Sequence, residues 1–282
     1  MKDEKLIEVE NNYFTINVIR QKVQSDFLER TVLIDIYMPV FQKKTDKVSL
    51  LLVNDGQDLV KMNFGAILDT LISSGSIEQI MVVGIHCSAD RIMEYGTACR
   101  ADYKGRGAKA GLYCKFILDE LLPYLRSECE ISSFKEKSFA GFSLGGLTAI
   151  DIAWNHAHEF LKVGVFSGSL WWRRRGYKDK GYNYDSDRIM HLQIQKGNIQ
   201  PWLHFFFQTG QLDETADRNN NGIIDSIDDT IDLIGDLKEL GYPEGHIKYV
   251  ELEDGKHDVD TWAKAFPTFL EWGWGVNRKI KV

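Results

Sequence analysis

Several features that define other protein classes are missing from this sequence of 282 residues. It contains no run of about 18 apolar residues, which is the length that a membrane-spanning helix needs. Its 34 lysines and arginines are outnumbered by 41 aspartates and glutamates, for a formal net charge of -7. The chain therefore lacks the basic surface that binds nucleic acids or anionic membranes. We expect neither a nucleic acid nor a membrane as a partner.

Cysteine is scarce, and its spacing excludes two kinds of site. The four cysteines, at positions 87, 99, 114 and 129, include no Cys-x-x-Cys pair, which argues against a zinc site or a dithiol redox site. Scattered thiols suit a reducing compartment, and the first residues, MKDEK, begin no signal peptide. We expect a cytoplasmic protein, or a periplasmic or secreted one if an export signal has been removed.

No linker rich in proline or serine divides the chain, and only 5 prolines are present, so a single domain over residues 1–282 is predicted. Eight apolar runs rich in β-branched residues indicate strands. They lie at 14–19, 31–38, 48–53, 80–85, 137–142, 161–166, 202–208 and 246–252.

Helical patterns alternate with the later strands. They lie at 64–73, 111–126, 144–156, 187–195, 229–240 and 258–272. This alternation predicts an α/β fold, with a mostly parallel central sheet and helices on both faces. The first two strands have no helix between them, so an antiparallel edge is expected there.

The most informative motif is Gly-Phe-Ser-Leu-Gly at positions 141–145, between a predicted strand and a predicted helix. In a nucleophile elbow, the serine occupies a sharp turn of this kind, and the next backbone N–H faces the developing oxyanion. Ser143 is therefore the candidate nucleophile, and Leu144 is a candidate donor to the oxyanion.

A serine nucleophile needs a base and an acid that orients the base, and the hydrolase order is serine, acid, histidine. His257 follows the last predicted strand, and Asp213 follows the strand before it. Glu214 and Asp225 are the fallback acids. The alternative is that both candidate loops merely carry solvated polar residues.

A second oxyanion donor is expected from the loop after the third strand. That loop contains Asp-Gly at positions 55–56, followed by Gln57. The backbone N–H groups at Gly56 and Gln57 are the candidates. Asp-Gly is also a common turn signal, so an ordinary turn remains the alternative.

Four segments together resemble the putative esterase family. They read LLLVNDGQD at 50–58, RIMEY at 91–95, GFSLGG at 141–146 and GKHD at 255–258, followed by Trp262. That family includes enterochelin, feruloyl and acetyl xylan esterases, S-formylglutathione hydrolase and the antigen 85 mycolyltransferases. The likeness, over about residues 27–272, implies the α/β-hydrolase fold, with Ser143 as nucleophile, His257 as general base and Asp213 as acid.

An insert rich in Asp and Asn at 213–229 departs from the family pattern. Residues 217–228 match a twelve-residue calcium loop, with oxygen ligands at its positions 1, 3, 5, 7, 9 and 12 and glycine at 6. The predicted ligands are Asp217, Asn219, Asn221, the carbonyl of Ile223, Asp225 and Asp228. We expect no cofactor for catalysis, and a structural calcium ion here. A polar hairpin is the alternative.

Other residues near the predicted catalytic edge are candidates for the substrate pocket. Trp171 and Trp172 follow the sixth predicted strand, and either stack on a substrate or pack in the core. The arginines at 173–175 either recognise an anionic substrate or face solvent. Arg91 and Glu94 either clamp the substrate or form an ion pair that holds their loop.

Taken together, these observations predict a serine hydrolase that cleaves carboxylic esters through an acyl-enzyme. Acylated carbohydrates and siderophore esters are the expected substrates, so the partner is a small-molecule or carbohydrate ester. An acyltransferase that uses the same triad, or a non-catalytic binding protein, is the alternative.

Overall fold

The computed structural model describes residues 7–8, 13–40 and 47–276, and within them nine strands form one sheet. The strands are β1 (Ile7–Glu8), β2 (Ile16–Ser25), β3 (Arg30–Pro39), β4 (Ser49–Asn54), β5 (Ile80–Ile85), β6 (Lys137–Phe142), β7 (Lys162–Phe166), β8 (His204–Leu212) and β9 (Ile247–Lys256).

The order of the strands across the sheet is β1-β2-β3-β5-β4-β6-β7-β8-β9. The pairs β1–β2, β2–β3 and β3–β5 are antiparallel, and the remaining five pairs are parallel. This confirms the predicted mostly parallel sheet with an antiparallel edge.

Ten α-helices are described: α1 (Gly56–Lys61), α2 (Phe64–Ser73), α3 (Arg91–Glu94), α4 (Ala110–Lys115), α5 (Leu122–Glu128), α6 (Leu144–Asn155), α7 (Tyr184–Asp187), α8 (Ile189–Lys196), α9 (Asp225–Glu239) and α10 (Val259–Trp274). A π-helical segment, Phe116–Leu121, joins α4 to α5. No described helix combines the length and the apolar character needed to cross a membrane.

Buried side chains pack on both faces of the sheet, because successive residues of a strand point to opposite sides. Leu50 and Leu52 of β4 belong to one apolar cluster, together with residues of α4 to α6. Leu51 and Val53 belong to a second cluster, with residues of α2 and α10. The predicted covering of both faces by helices is confirmed.

The register of the parallel strands brings their carboxyl ends to one edge of the sheet. Phe142 at the end of β6 is opposite Phe166 of β7, which is opposite Gln208 of β8. Strands β8 and β9 extend beyond their predicted ends, to Leu212 and Lys256. Residues that follow these strands therefore lie along the edge where open α/β sheets place their sites.

Candidate active site

Ser143 occupies the sharp turn between β6 and α6. Its φ is 53° and its ψ is -120°. Residues other than glycine rarely adopt this conformation. Its N–H donates to the carbonyl of Phe166 at 2.8 Å, and its own carbonyl accepts from the N–H of Ser169 at 3.0 Å. Backbone bonds to β7 and the following loop therefore hold the strained turn.

The first glycine of the motif, Gly141, is required by close approach of the backbone. A Cβ atom added at Gly141 would lie 2.4 Å from the carbonyl carbon of Gly145, well inside van der Waals contact. The elbow can therefore close only if no side chain stands at position 141.

A second serine lies next to the candidate nucleophile. The Oγ atoms of Ser143 and Ser169 are 3.4 Å apart, and either can be the donor. Ser143 is half-buried, whereas Ser169 is buried. Sequence reasoning did not single out Ser169 or Ser167, although both follow β7 at the same edge.

Asp213 directly follows β8, and one of its carboxylate oxygens is held while the other is not. Oδ2 accepts from the N–H of Gly210 at 3.2 Å. Oδ1 is buried and has no hydrogen-bond partner among the described residues. Burial raises the pKa of the carboxyl, against the lowering effects of the Gly210 N–H, the Ser167 hydroxyl and His257. Asp213 and His257 thus act on each other's pKa through their charges.

His257 directly follows β9, and its ring meets the ring of Trp262 edge to face, at 5.4 Å between centroids. Desolvation by the surrounding protein lowers the pKa of His257, while the Asp213 carboxylate acts in the opposite direction. Within the described part of the chain, the ring forms no direct hydrogen bond to Ser143 or Asp213. Catalytic hydrogen bonds are often loose before substrate binds.

Trp262 links three parts of this site. Its ring stacks on Phe142, next to Ser143, at 5.0 Å between centroids. Its indole N–H donates to the buried Ser167 hydroxyl at 3.0 Å. Since Ser167 in turn acts on the Asp213 carboxyl, Trp262 connects the neighbours of all three predicted triad residues.

The loop that carries Gly56 and Gln57 packs directly against the elbow. The Asn54 side chain donates to the carbonyl of Gly145 at 2.8 Å. The Gln57 side chain accepts from the Cys87 N–H at 3.1 Å. Gln57 lies in the first turn of α1, as Leu144 does in α6, and N–H groups in a first turn have no partner within their helix.

Arg91 and Glu94 both form ion pairs within the protein. Arg91 binds both oxygens of the buried Asp55 carboxylate at 2.7 Å. This carboxylate raises the pKa of the Arg91 guanidinium and so keeps the guanidinium charged. Glu94 is buried and binds Arg30 through both oxygens, at 2.8 and 2.7 Å. The structure therefore favours the ion-pair alternative over a substrate clamp for both residues.

The paired tryptophans differ in their surroundings. Trp172 is 0% exposed and belongs to the core, so its ring offers no surface to a substrate. Trp171 is half-buried and lines a cleft of about 500 Å³, together with Tyr103, Arg106, Arg173 and Glu214. The sequence left open whether these tryptophans pack in the core or contact a substrate. Trp172 packs in the core, whereas Trp171 lies in the cleft.

The two fallback acids are placed differently from Asp213. One oxygen of Asp225 accepts from the backbone N–H of Arg218 at 2.8 Å. The other oxygen lies 3.2 Å from the guanidinium of Arg218. Glu214 lines the cleft, and burial, with a smaller effect of Asp225, raises its pKa. Of the three acids, only Asp213 acts directly on the pKa of His257.

The loop of residues 217–228 folds around its own polar side chains. Asp217 accepts from the N–H groups of Asn221 and Gly222 at 3.1 and 2.9 Å. The Asn219 and Asn221 amides donate to Asp228 at 2.7 and 3.1 Å. Gly222, at position 6, has a φ of 85°, in the region that favours glycine. Asp217, Asn219, Asn221 and Asp228 are thereby brought together.

The remaining predicted ligands lie at the start of α9. The N–H of Ile223 donates to the Asn221 side chain at 2.8 Å, whereas Asp225 is bound to Arg218. Over residues 7–8, 13–40 and 47–276, no group of three or more His, Cys, Asp or Glu side chains could hold a metal ion. A cation here would therefore depend on asparagine and backbone oxygens as well.

The sheet order, the helices on both faces and the elbow after β6 define an α/β-hydrolase. The family model described as Putative esterase matches residues 25–272, so the chain belongs to that family, whose activity class is carboxylic ester hydrolysis.

Two Bacillus proteins are similar to this chain, one in sequence and one in structure. The uncharacterized protein YbbA of Bacillus subtilis (strain 168) is 22% identical over 232 residues, which cover 80% of this chain and 85% of YbbA. The BES protein from Bacillus cereus superposes with a TM-score of 0.72 and 17% identity, covering 98% of this chain and 100% of that one.

Two solved esterases have the same fold. A ferulic acid esterase matches with a TM-score of 0.68 and 18% identity, over 92% of this chain and 98% of its own. The enterochelin esterase from Shigella flexneri matches with a TM-score of 0.67 and 19% identity, over 90% of this chain but only 57% of that longer chain.

Proposed function

We propose that this protein cleaves carboxylic esters through an acyl-enzyme on Ser143. The observation that carries the proposal is the strained elbow at Ser143, on the sheet edge where Asp213 and His257 also follow their strands. His257 removes the serine proton as Oγ attacks the ester carbonyl carbon, then gives it to the departing alcohol as the carbon–oxygen bond breaks. Water, activated by His257, then releases the acid from Ser143.

The free oxygen of Asp213 gives that residue its role. A buried carboxylate oxygen without a partner is costly, and in the proposed triad an N–H of the His257 ring satisfies it. Such a bond orients the imidazole and stabilises its protonated form. The backbone N–H of Leu144 and of the Gly56–Gln57 turn are the proposed oxyanion donors, each worth about 2.7–4 kcal/mol of transition-state stabilisation.

The proposed substrates are esters of acylated carbohydrates or of siderophores. The matched structures include a ferulic acid esterase and enterobactin esterases, whose titles support feruloyl esters and siderophore esters as candidates. Trp171 in the cleft supplies an aromatic surface on which a sugar or an aryl group can stack. Comparing rates on acetyl, feruloyl and siderophore esters would choose between the classes.

Replacing Ser143 by alanine tests the mechanism. We expect hydrolysis of 4-nitrophenyl butyrate to fall by at least about a thousandfold, and labelling by a fluorophosphonate probe to disappear. Ser169→Ala is the control for the neighbouring hydroxyl and should keep the labelling. Labelling retained in the Ser143→Ala variant would refute the assignment, and products formed on an added alcohol would identify an acyltransferase.

We also propose that residues 217–228 bind a structural calcium ion. Asp217, Asn219, Asn221, the Ile223 carbonyl and Asp228 would supply oxygen ligands, with Asp225 acting through water. The contacts that gather four of these residues support the proposal. The loop begins four residues after Asp213, so the ion would stabilise the chain segment that carries the acid.

A further inference from the structure

The three consecutive arginines at 173–175 have different surroundings. Arg174 lies 3.2 Å from a carboxylate oxygen of the buried Asp187. Arg175 is exposed and donates to the carbonyl of Gly181 at 2.7 Å. Arg173 forms no ion pair within the described residues. Arg173 is therefore the arginine of this run that is neither paired with a carboxylate nor fully exposed.

Arg173 lies among three aromatic rings in the cleft. Its guanidinium carbon is 5.6 Å from the ring centroid of Tyr103, 5.9 Å from that of Trp171 and 5.4 Å from that of Tyr177. Nη1 has one long hydrogen bond, 3.4 Å to the Trp171 carbonyl, and Nε is buried without a partner. The head group is held in place, but most of its donors are unused.

The backbone of Arg173 is also fixed. Its carbonyl accepts from the N–H of Tyr103 at 3.0 Å, and an isolated bridge pairs Arg173 with Arg188. The guanidinium therefore starts from an anchored backbone and a ring-lined position, so little conformational entropy is lost when it binds a ligand.

Other charged groups also line the cleft, and Arg106 among them has an ion-pair partner. Arg106 binds the buried Asp102 through Nε at 2.7 Å and lies 4.7 Å from the Trp171 ring centroid. Glu214 also lines the cleft, and burial raises the pKa of its carboxyl.

The loop of residues 217–228 contributes a further ion pair and one carboxylate to the cleft. Arg218 bonds to Asp225 and Asp229, and Asp217 accepts two backbone N–H groups of its own loop. Lys104 also lines the cleft, lies over the Tyr103 ring at 5.5 Å and has no ion pair in the described ranges. Arg173 and Lys104 are thus the two cations lining this cleft that form no ion pair within the described residues.

Two residues that line the cleft lie close in the chain to residues of the proposed triad or their neighbours. Trp171 follows Ser169 by two residues, and the hydroxyl of Ser169 is 3.4 Å from that of Ser143. Glu214 is the residue after Asp213. A group bound in the cleft would therefore belong to the same ester whose carbonyl is at Ser143.

We propose that Arg173 determines specificity by binding a carboxylate or another planar oxyanion on the ester substrate. This inference rests on the proposed function. A planar oxyanion matches the guanidinium fork, and its neighbouring carbon skeleton would lie against Trp171, Tyr103 and Tyr177. The preferred substrates are then anionic esters, whichever side of the scissile bond carries the charge.

Matched pairs of esters test this proposal. For the acyl side, 4-nitrophenyl hemiglutarate is compared with 4-nitrophenyl valerate, which has a methyl group in place of the carboxylate. For the alcohol side, 4-carboxyphenyl butyrate is compared with 4-carbamoylphenyl butyrate. We expect the unmodified protein to prefer the anionic member of one pair by about tenfold in kcat/KM, as a charge-assisted hydrogen bond supplies.

Substitutions at Arg173 then assign the preference. Arg173→Gln should abolish it while leaving kcat/KM for the neutral ester within about twofold, and Arg173→Lys should restore part of it. Arg175→Gln, the exposed neighbour, should keep the full preference. No preference in the unmodified protein, or an equal loss on both members in Arg173→Gln, would overturn the inference. No hydrolysis of any ester would instead overturn the proposed function.

Discussion

At the scale of single residues, Trp262 is the side chain whose role the structure defines most directly. Trp262→Phe keeps a ring against His257 and Phe142 but removes the N–H that donates to Ser167. The Ser167 hydroxyl would then be free to turn away from Asp213. We expect kcat to fall about tenfold with KM nearly unchanged, because orientation of the imidazole is lost while the substrate cleft is intact.

Trp202 provides a matched control for this prediction. Its indole N–H donates to the carbonyl of Ala157 at 2.7 Å, with no link to the proposed triad. Trp202→Phe therefore removes a comparable hydrogen bond and should leave kcat unchanged. If both variants lost the same activity in step with their stability, Trp262 would have only a structural role.

Much of the candidate site could be predicted at this scale, because Ser143, Asp213 and His257 each follow a strand in a recognisable order. The partners of the charged residues could not be predicted. Whether Arg91 binds a substrate or Asp55 depends on which side chains the fold brings together from distant segments. The same holds for Ser167, whose link to Trp262 joins residues 95 positions apart.

At the scale of elements, the loop of residues 217–228 is the segment most open to an experiment. We expect the melting temperature to fall on addition of a chelator and to recover with calcium. A free calcium concentration a hundredfold above Kd adds about 2.7 kcal/mol to the free energy of unfolding, or roughly 5 °C. Thermal melts with and without calcium measure this difference.

Two variants make the calcium prediction specific. Asp217→Asn removes the charge of the first predicted ligand and should abolish most of the calcium-dependent shift. Asp185→Asn, on an exposed carboxylate of α7 outside the loop, should retain it. A melting temperature that does not respond to calcium in the unmodified protein would exclude the ion.

The elements themselves were predicted well where they are long and apolar, and less well at their ends. Helix α9 begins at Asp225, four residues before the predicted start, because the acidic residues of its first turn suit the positive end of the helix dipole. Helices α1, α3 and α7 were not predicted, since four to six residues are too few to reveal a helical period.

At the scale of the whole molecule, His191 couples stability to pH. It is fully buried between α8 and α9, and its Nε2 lies 2.9 Å from the carbonyl of Asp229. Burial lowers its pKa from 6.5 to about 3. The unfolded chain therefore binds a proton at this residue more readily than the folded one, so its contribution to stability is lost as pH falls from 6.5 toward 3.

Measurements of urea unfolding at pH 7 and pH 5 test this coupling. Between these values, the unmodified protein should lose about 2 kcal/mol more than His191→Gln, which has no imidazole to protonate. His158→Gln, at a largely exposed histidine, should behave like the unmodified protein. Equal losses in the unmodified protein and His191→Gln would show that His191 does not contribute.

The elbow at Ser143 has one more consequence for the molecule as a whole. A residue with a side chain in that conformation costs about 1–3 kcal/mol, and hydrogen bonds to β7 and its loop keep it there. Strand β7 is among the most buried strands of the sheet and is not a mobile lid. The serine is therefore pre-organised: folding of the sheet, completed before any ester arrives, has already brought the hydroxyl into the position from which it would attack in the proposed mechanism.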